Sequence, residues 1–555
     1  MIVHSRNLRV IRAGLVLLVL FLFSIPLPVS AGLYTESCGM VWEDACIPFE
    51  RNNETAYNEE LFASFAPIAA NLTEGPPDLS NMSWGDAFRE TCAYMEERYA
   101  FTEWRGVDWD SLYATYAPKI ADAEKNGDRA AYYRALREFT GAIPDGHVMV
   151  LAPDDFGAKY ADIGGGYGLA VARLDSGEVI VTYIADESEA ERAGVRFGDV
   201  VVSWNGRPIG EAIDATSIIW APVKPSTGEG ILLHKQRFLT RAPVGTPATI
   251  EIASPENSVL RTVNLTAAED GYETLARTSI FLGREANDGK AGSSAELKAT
   301  ISNDTVTSRT LPGGIAYIAV YEEAYDTYQP FRAAVKDAIA RDAPGTVVDL
   351  RFNRGGDDNL AAAYAGWFVD RPVFYEYGTS YDPGTGEPAV LWESWTAPRP
   401  GRYTGPVALL VSPYTISSGE GLPKVFAESG TGAIVSWYGT NGAFGMESMG
   451  PVLPLGIQTA FPTGASLDES GQIQVDSNAS LVGGVAPTVR VPLDEETLAR
   501  AMAGEDVQLA YAVEWIRAQA ESTTTEPSTV PTQAAAGWMM PLTALLGLAV
   551  WLGRR

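Results

Sequence analysis

Histidine and cysteine are scarce in this chain of 555 residues, with three of each. His4 falls in an N-terminal apolar leader, so only His147 and His234 remain for chemistry. There is no CxxC pair and no Cys/His cluster with metal-ligand spacing, which excludes a His-rich metal site and leaves no metal or organic cofactor implied. Cys38, Cys46 and Cys92 would allow one disulfide in an oxidising location, with Cys38–Cys46 a candidate pair and one thiol left over. Basic residues are also short, 41 against 70 acidic, for a net charge of −29. Such a surface repels phosphate backbones and anionic headgroups, so nucleic acid is excluded as a partner. With 46% hydrophobic residues the chain can fill two or three cored domains. No internal repeat is visible.

The ends read as targeting segments. Arg6, Arg9 and Arg12 precede an apolar run from Ala13 to Pro28, and Val29-Ser30-Ala31 offers small residues for cleavage. Residues 1–31 are therefore expected to be a signal peptide, with a retained anchor as the alternative. An N-terminal extension spans 32–83. Residues 521–536 form a Thr/Pro-rich spacer that buries no apolar area. The apolar segment Gly537 to Leu552, closed by Arg554-Arg555, completes 537–555. It is short for a full span and resembles tails processed by sortase-type enzymes, or serves as a plain membrane anchor. Either outcome places the body outside the cell, attached by its tail to membrane or envelope. Asn-x-Ser/Thr sequons at Asn53, Asn71, Asn81, Asn264, Asn303 and Asn478 fit an exported chain.

Between the ends, three patterns follow one another. Over 84–152 apolar residues recur at three- and four-residue spacing (Phe88, Cys92, Met95, Tyr99, then Leu112, Tyr116, Ile120), which predicts helices, with Asp110 or Ser111 capping the second. The turn Pro144-Asp145-Gly146 then leads into a strand from His147 to Leu151. Over 161–268 short β runs with Gly punctuation predict a β module, interrupted from Ser217 to Arg237 by a surface insertion on which His234 would be exposed. A small, polar linker covers 269–307. From 308 to 491 strands alternate with helices, which predicts a layered α/β domain. A helix over 492–520 follows.

Ser417 is the sharpest candidate for chemistry. Thr415-Ile416-Ser417-Ser418-Gly419-Glu420 lies between a buried strand and an amphipathic helix. A hydroxyl at such a turn is held at a sheet edge, with the N–H groups after it at the positive end of a helix dipole. That suits an attacking oxygen beside an oxyanion site, and equally a helix cap. The second element is Asp349-Leu350-Arg351-Phe352-Asn353-Arg354-Gly355-Gly356. Its glycines let the backbone approach a ligand, and the N–H of Gly355 or Gly356, with that of Ser418, would donate to an oxyanion. Asp349 and Arg351 read as structural. The third element is Asp145-Gly146-His147, because a serine needs a base near neutral pH.

Together these segments resemble the tail-specific (C-terminal-processing) serine peptidases and their tricorn-core relatives. Asp349-Leu350-Arg351-x-Asn353-x-Gly355-Gly356 is similar to the family's Asp-Leu-Arg-x-Asn-x-Gly-Gly signature. Thr415-x-Ser417-x-x-Glu420 is similar to its nucleophile segment. Asp145-Gly146-His147, Tyr99, Val107-Asp108-Trp109 and Gly484-Val485-Ala486-Pro487 fall in the family's order, over Asp86 to Val491. The β module resembles a PDZ domain through Gly168-Leu169-Ala170-Val171, Ala193-Gly194-Val195, Gly198-Asp199 and Asn205-Gly206. By that likeness the N–H groups of Gly168, Leu169 and Ala170 would receive a C-terminal carboxylate. The resemblance implies an α+β multidomain fold: a helical N-terminal segment, a PDZ-like module and a crotonase/ClpP-like α/β core. It implies hydrolysis of protein or peptide substrates by Ser417.

Two departures bear on the mechanism. The Gly-rich turn Thr440 to Gly445, where dyad members of the family carry a Lys, has none, and Lys424 is too near Ser417 along its helix. That points to a Ser–His pair with His147 as base. The acidic partner of the tricorn-like members is missing at Leu481-Val482, which leaves Glu420 as a candidate helper for His147. The same scaffold without a competent base would be a surface protein that binds peptide tails or apolar ligands. A hydrolase of small esters or amides is a third reading.

Overall fold

The structure is a computed structural model and describes residues 75–255, 258–278, 305–382 and 384–524. The expected signal peptide, Cys38 and Cys46, the sequons at Asn53, Asn71 and Asn303, and the apolar tail lie outside the described residues. Among the described residues no helix is long and apolar enough to cross a membrane.

The N-terminal helices form for the reasons their spacing suggests. Trp84–Arg98 starts at Ser83, whose hydroxyl accepts the Asp86 N–H, and buries Phe88, Cys92 and Met95 on one stripe. Trp109–Asn126 is capped by Asp108 and not by Asp110 or Ser111; the Asp108 carboxylate accepts the Ser111 N–H at 3.0 Å. Such a cap is worth about 1 kcal/mol. Arg129–Gly141, capped by Asp128, completes the layer, and Phe88 packs edge-on to Phe139 at 5.0 Å. The chain then turns through Asp145-Gly146 into the strand Met149–Leu151, which pairs antiparallel with Ile457–Gly464 of the α/β region. This pairing carries the Asp-Gly-His turn to the α/β core.

The β module is an antiparallel sheet in the order Leu169–Arg173, Val179–Ile184, Val200–Trp204, Pro247–Ala253, Leu260–Thr266. The segment from Ser217 to Arg237 does not form a surface insertion. It ends in the helix Gly228–Phe238, whose Leu233, His234, Gln236 and Arg237 are buried. The charged neighbours Lys235 and Arg237 misled the reading. Arg237 is 2% exposed because its guanidinium donates to Thr278 Oγ1 and the Leu275 carbonyl.

The α/β domain holds a six-stranded sheet in the order Val306–Thr310, Ala316–Val320, Thr346–Asp349, Val407–Leu410, Ala433–Ser436, Val489–Arg490. Its first pair is antiparallel and the rest are parallel. Both faces are covered, so the inner strands read as continuous apolar runs. Val348 and Leu409 face the helices Tyr328–Ala340, Asp358–Ala365 and Gly421–Ser429, while Val347 and Leu410 face Val507–Thr524. The linker expected to 307 gives way to strand at Val306, and the expected final helix is two, Glu495–Met502 and Val507–Thr524, parted at Gly504. Arg351 pairs with Asp349 at 2.6 Å and reaches Asp506 at the foot of the last helix at 2.8 Å, which makes both motif residues structural ties.

Candidate active site

Ser417 follows the strand Val407–Leu410 and a turn locked by side chains. Thr415 Oγ1 donates to the Leu350 carbonyl at 2.8 Å, and Ser412 Oγ donates to the Arg351 carbonyl at 2.5 Å. These bonds stitch the Ser417 turn to the Asp-Leu-Arg strand beside it. Ser417 itself has φ +59°, a left-handed conformation that a non-glycine residue adopts at a cost of about 1–3 kcal/mol. Its N–H donates to the Ala443 carbonyl at 2.8 Å, and one 3₁₀ turn, Ser417–Glu420, leads into the helix Gly421–Ser429. The side chain is half-buried and opens on a cavity of about 1210 Å³.

The glycine pair lies against that serine. At Gly355, φ +84°, an added Cβ would meet Ser417 Cβ at 2.4 Å. At Gly356, φ +150°, it would meet the Glu323 carbonyl oxygen at 2.2 Å. No side chain fits either position. The two N–H groups differ in availability. That of Gly355 donates to Asn353 Oδ1 at 2.8 Å, so it is spent within the turn. Among the described residues those of Gly356 and Ser418 donate to no protein group. Of the two expected donors, Gly356 is the one whose N–H is left unengaged. Ser418 Oγ donates to the Gly356 carbonyl at 2.9 Å and holds these two residues together.

His147 lines the same cavity as Ser417, 270 residues away in sequence. It is 3% exposed, and its Nδ1 has no hydrogen-bond partner among the described residues. Its turn packs against the residue before Ser417: a Cβ on Gly146 would meet Ile416 Cδ1 and Asn441 Oδ1 at 2.7 Å each. Asp145 shapes the turn by accepting the His147 N–H at 2.9 Å. Burial opposes the Asp145 charge, but the Arg105 guanidinium at 3.3 Å, His147 and the Tyr99 hydroxyl at 2.7 Å outweigh it and hold the carboxyl below its ordinary range. Burial also lowers the His147 pKa, against the pull of Asp145 and with the help of Arg105. The imidazole is therefore neutral near pH 7 and able to accept a proton.

Arg105, Asp476, Ser226 and Asn441 complete this floor and were not foreseen. Arg105 is shared between Asp145 and Asp476, the latter at 3.2 Å. Asp145 keeps its charge, while burial and the Asp145 carboxylate push the Asp476 carboxyl well up. Asp476 Oδ1 also accepts the Phe444 N–H, and its Oδ2 is buried with no hydrogen-bond partner among the described residues.

Glu420 does not reach His147. Its carboxylate accepts the Thr440 hydroxyl and the N–H groups of Gly442 and Ala443, both at 2.9 Å. It anchors the loop whose Ala443 carbonyl holds Ser417, and burial pushes its pKa up to about 7. Lys424 turns away, its Nζ bonded to Glu428 and the Phe374 carbonyl. A different lysine enters the cavity. Lys224 Nζ donates to the carbonyls of Thr140 and Val148, and burial lowers its pKa to about 7. Gly168, Leu169 and Ala170 are buried and do not line this cavity. The strand they open is flanked by the helix Gly228–Phe238, and Gln236 Oε1 accepts the Arg173 N–H at 2.8 Å. His234, expected on the surface, is 0% exposed and stacks on Tyr414 with ring centroids 5.8 Å apart.

Residues 314–491, which hold Ser417 and the glycine pair, match peptidase family S41, and residues 81–138 match the tricorn protease C1 domain. These two matches, with the curated relative that follows, support the tail-specific peptidase family S41. A chloroplastic C-terminal processing peptidase of Tetradesmus obliquus is 28% identical over 296 residues, 51% of this chain and 54% of that protein. The chain thus matches about half the length of that curated relative. Among solved structures, mature CPAF complexed with lactacystin is 14% identical, covering 79% of this chain and 99% of that one, with a TM-score of 0.52. Mature CPAF without that compound gives 0.53 over 98% of its chain. At such identity the likeness establishes a shared fold, over a larger share of the chain than the S41 match alone.

Proposed function

We propose that this S41 family member is an exported serine endopeptidase in which Ser417 attacks a peptide carbonyl and His147 takes its proton. The observation that carries the reading is the convergence of a left-handed serine, a buried neutral imidazole and two free N–H groups on one cavity. His147 accepts the Ser417 proton as the Oγ–carbon bond forms, then returns it to the leaving amine; water repeats the cycle on the acyl-enzyme. The N–H groups of Gly356 and Ser418 hold the oxyanion. A positioned base supplies about 10²–10⁴-fold and an oxyanion donor about 10²–10³-fold. Lys224 is another basic group lining the cavity, but its Nζ is engaged by two carbonyls.

The β module is read as PDZ-like and the six-stranded layer as crotonase-like. Recognition of C-terminal tails through Gly168 to Ala170 is part of this reading, on a strand whose far end Gln236 already bonds at Arg173. Export and attachment at the cell surface rest on the leader and the apolar tail. A fluorophosphonate serine probe tests the reading. Labelling of the wild type that is lost in Ser417→Ala and accompanied by casein hydrolysis supports a peptidase. Labelling with turnover of small esters alone would favour the small-substrate hydrolase. No labelling, with retained binding of peptides, would leave a binding scaffold. Labelling that survives His147→Ala and is lost in Lys224→Met would reassign the base.

A further inference from the structure

Ser226 belongs to neither segment that carries the proposed chemistry, yet it lies between them and is 0% exposed. Its Oγ accepts the Gly146 N–H at 2.7 Å and donates to Asn441 Oδ1 at 2.8 Å. Asn441 in turn fastens the approach to the nucleophile. Its backbone N–H donates to the Thr415 carbonyl at 2.9 Å, and its Nδ2 donates to the Pro413 carbonyl at 2.9 Å and the Lys224 carbonyl at 3.1 Å. A continuous chain of hydrogen bonds therefore runs from the residue before His147, through Ser226 and Asn441, to the residues before Ser417.

The surroundings fix this link from every side. Lys224 Nζ donates to Val148, just beyond His147, at 2.9 Å, and to Thr140 ahead of the turn. Ser477 Oγ donates to the Ser226 carbonyl at 2.7 Å and accepts from Arg105 at 2.7 Å. Thr227 packs against Gly442, where an added Cβ would lie 2.8 Å from its methyl group. A serine hydroxyl can donate one hydrogen bond and accept another, and here it does both across two separate parts of the chain. Buried polar links that are fully satisfied hold one geometry, because every alternative leaves a group unpaired.

We propose that Ser226 and Asn441 are positioning residues that set the spacing between His147 and Ser417. The segment that supplies Ser226 leads from the β module, so the module is wired into the site by this link. The inference rests on the Ser417–His147 reading. A misplacement of about 1 Å in a reacting pair can cost about 10²-fold in rate without altering how substrate is held.

The test is steady-state peptide hydrolysis by the full chain and its variants, each assayed below its own melting temperature. Ser226→Ala is expected to lower kcat about 10²-fold with KM within about twofold, and Asn441→Ala to do the same. Because the two act through one hydrogen bond, the double variant should lose about 10²-fold and not the about 10⁴-fold of independent sites. If Ser226→Ala does not fold, Ser226→Cys, a weaker donor and acceptor, should give a smaller fall in kcat alone. Unchanged kcat, a loss confined to KM, or multiplying losses would overturn the link. A wild type without Ser417-dependent turnover would bring down the functional reading with it, whereas an active wild type beside a fully active Ser226→Ala would bring down the link alone.

Discussion

The two buried histidines make an instructive pair. His147 ends a turn, lines the cavity of Ser417 and has its backbone fixed by Asp145. His234 lies inside a helix, stacks on Tyr414 three residues before Ser417, and has no hydrogen-bond partner for either ring nitrogen among the described residues. Burial lowers the pKa of both, in His147 against the pull of Asp145 and in His234 with the added repulsion of Arg237. In the proposed mechanism one imidazole is kept neutral where a proton has to be collected. The other is kept neutral as an aromatic filler. Residue type and burial are the same; the cavity and the carboxylate make the difference.

The contrast can be broken first at His147. Replacing it with Ala should cut kcat for peptide hydrolysis by about 10²–10⁴-fold. A loss of less than about tenfold would make His147 as structural as His234. Next is the oxyanion site. Gly356→Ala forces the turn away from Glu323 and withdraws the N–H, for an expected loss of about 10²–10³-fold in kcat. Near-normal kcat in that variant would remove Gly356 from the site.

The smallest effect belongs to His234. Its folded-state pKa is depressed, so the unfolded chain binds the extra proton and stability is lost as pH falls below about 6.5. His234→Phe keeps the ring and removes the basic nitrogens. It should raise the melting temperature at pH 5 by a few degrees, roughly the scale of a 1 kcal/mol change, and leave kcat at pH 8 unaltered. A variant that melts lower than the wild type at pH 5 would show that the imidazole is held by more than stacking.

Much of the candidate site's backbone frame was legible because it is local. The glycine pair and the serine turn each sit at the end of an apolar strand, and strand-then-turn is visible in a dozen residues. Pattern could not reveal the floor beneath them. Arg105 meets Asp476 across 371 residues, and Gly146 meets Ser226 across 80. Single polar residues have no period, so nothing marks them until the chain is folded. His234 was misplaced for a related reason. Its charged neighbours suggested solvent, but Arg237 finds its partners inside. The long hairpin Val373–Asp382 and Glu387–Thr396 was also missed, since its first strand is buried on both faces and does not alternate. The acidic helper was sought at Glu420 because of its place in the motif, whereas its carboxylate serves the loop 440–443.

The central claim is best tested by the rate at which a fluorophosphonate acylates Ser417 as pH varies. The account predicts a rate that rises with pH through a single ionisation below about 6.5, where His147 loses its proton, and a collapse of that limb in His147→Ala. The same limb, undiminished in His147→Ala, would contradict it.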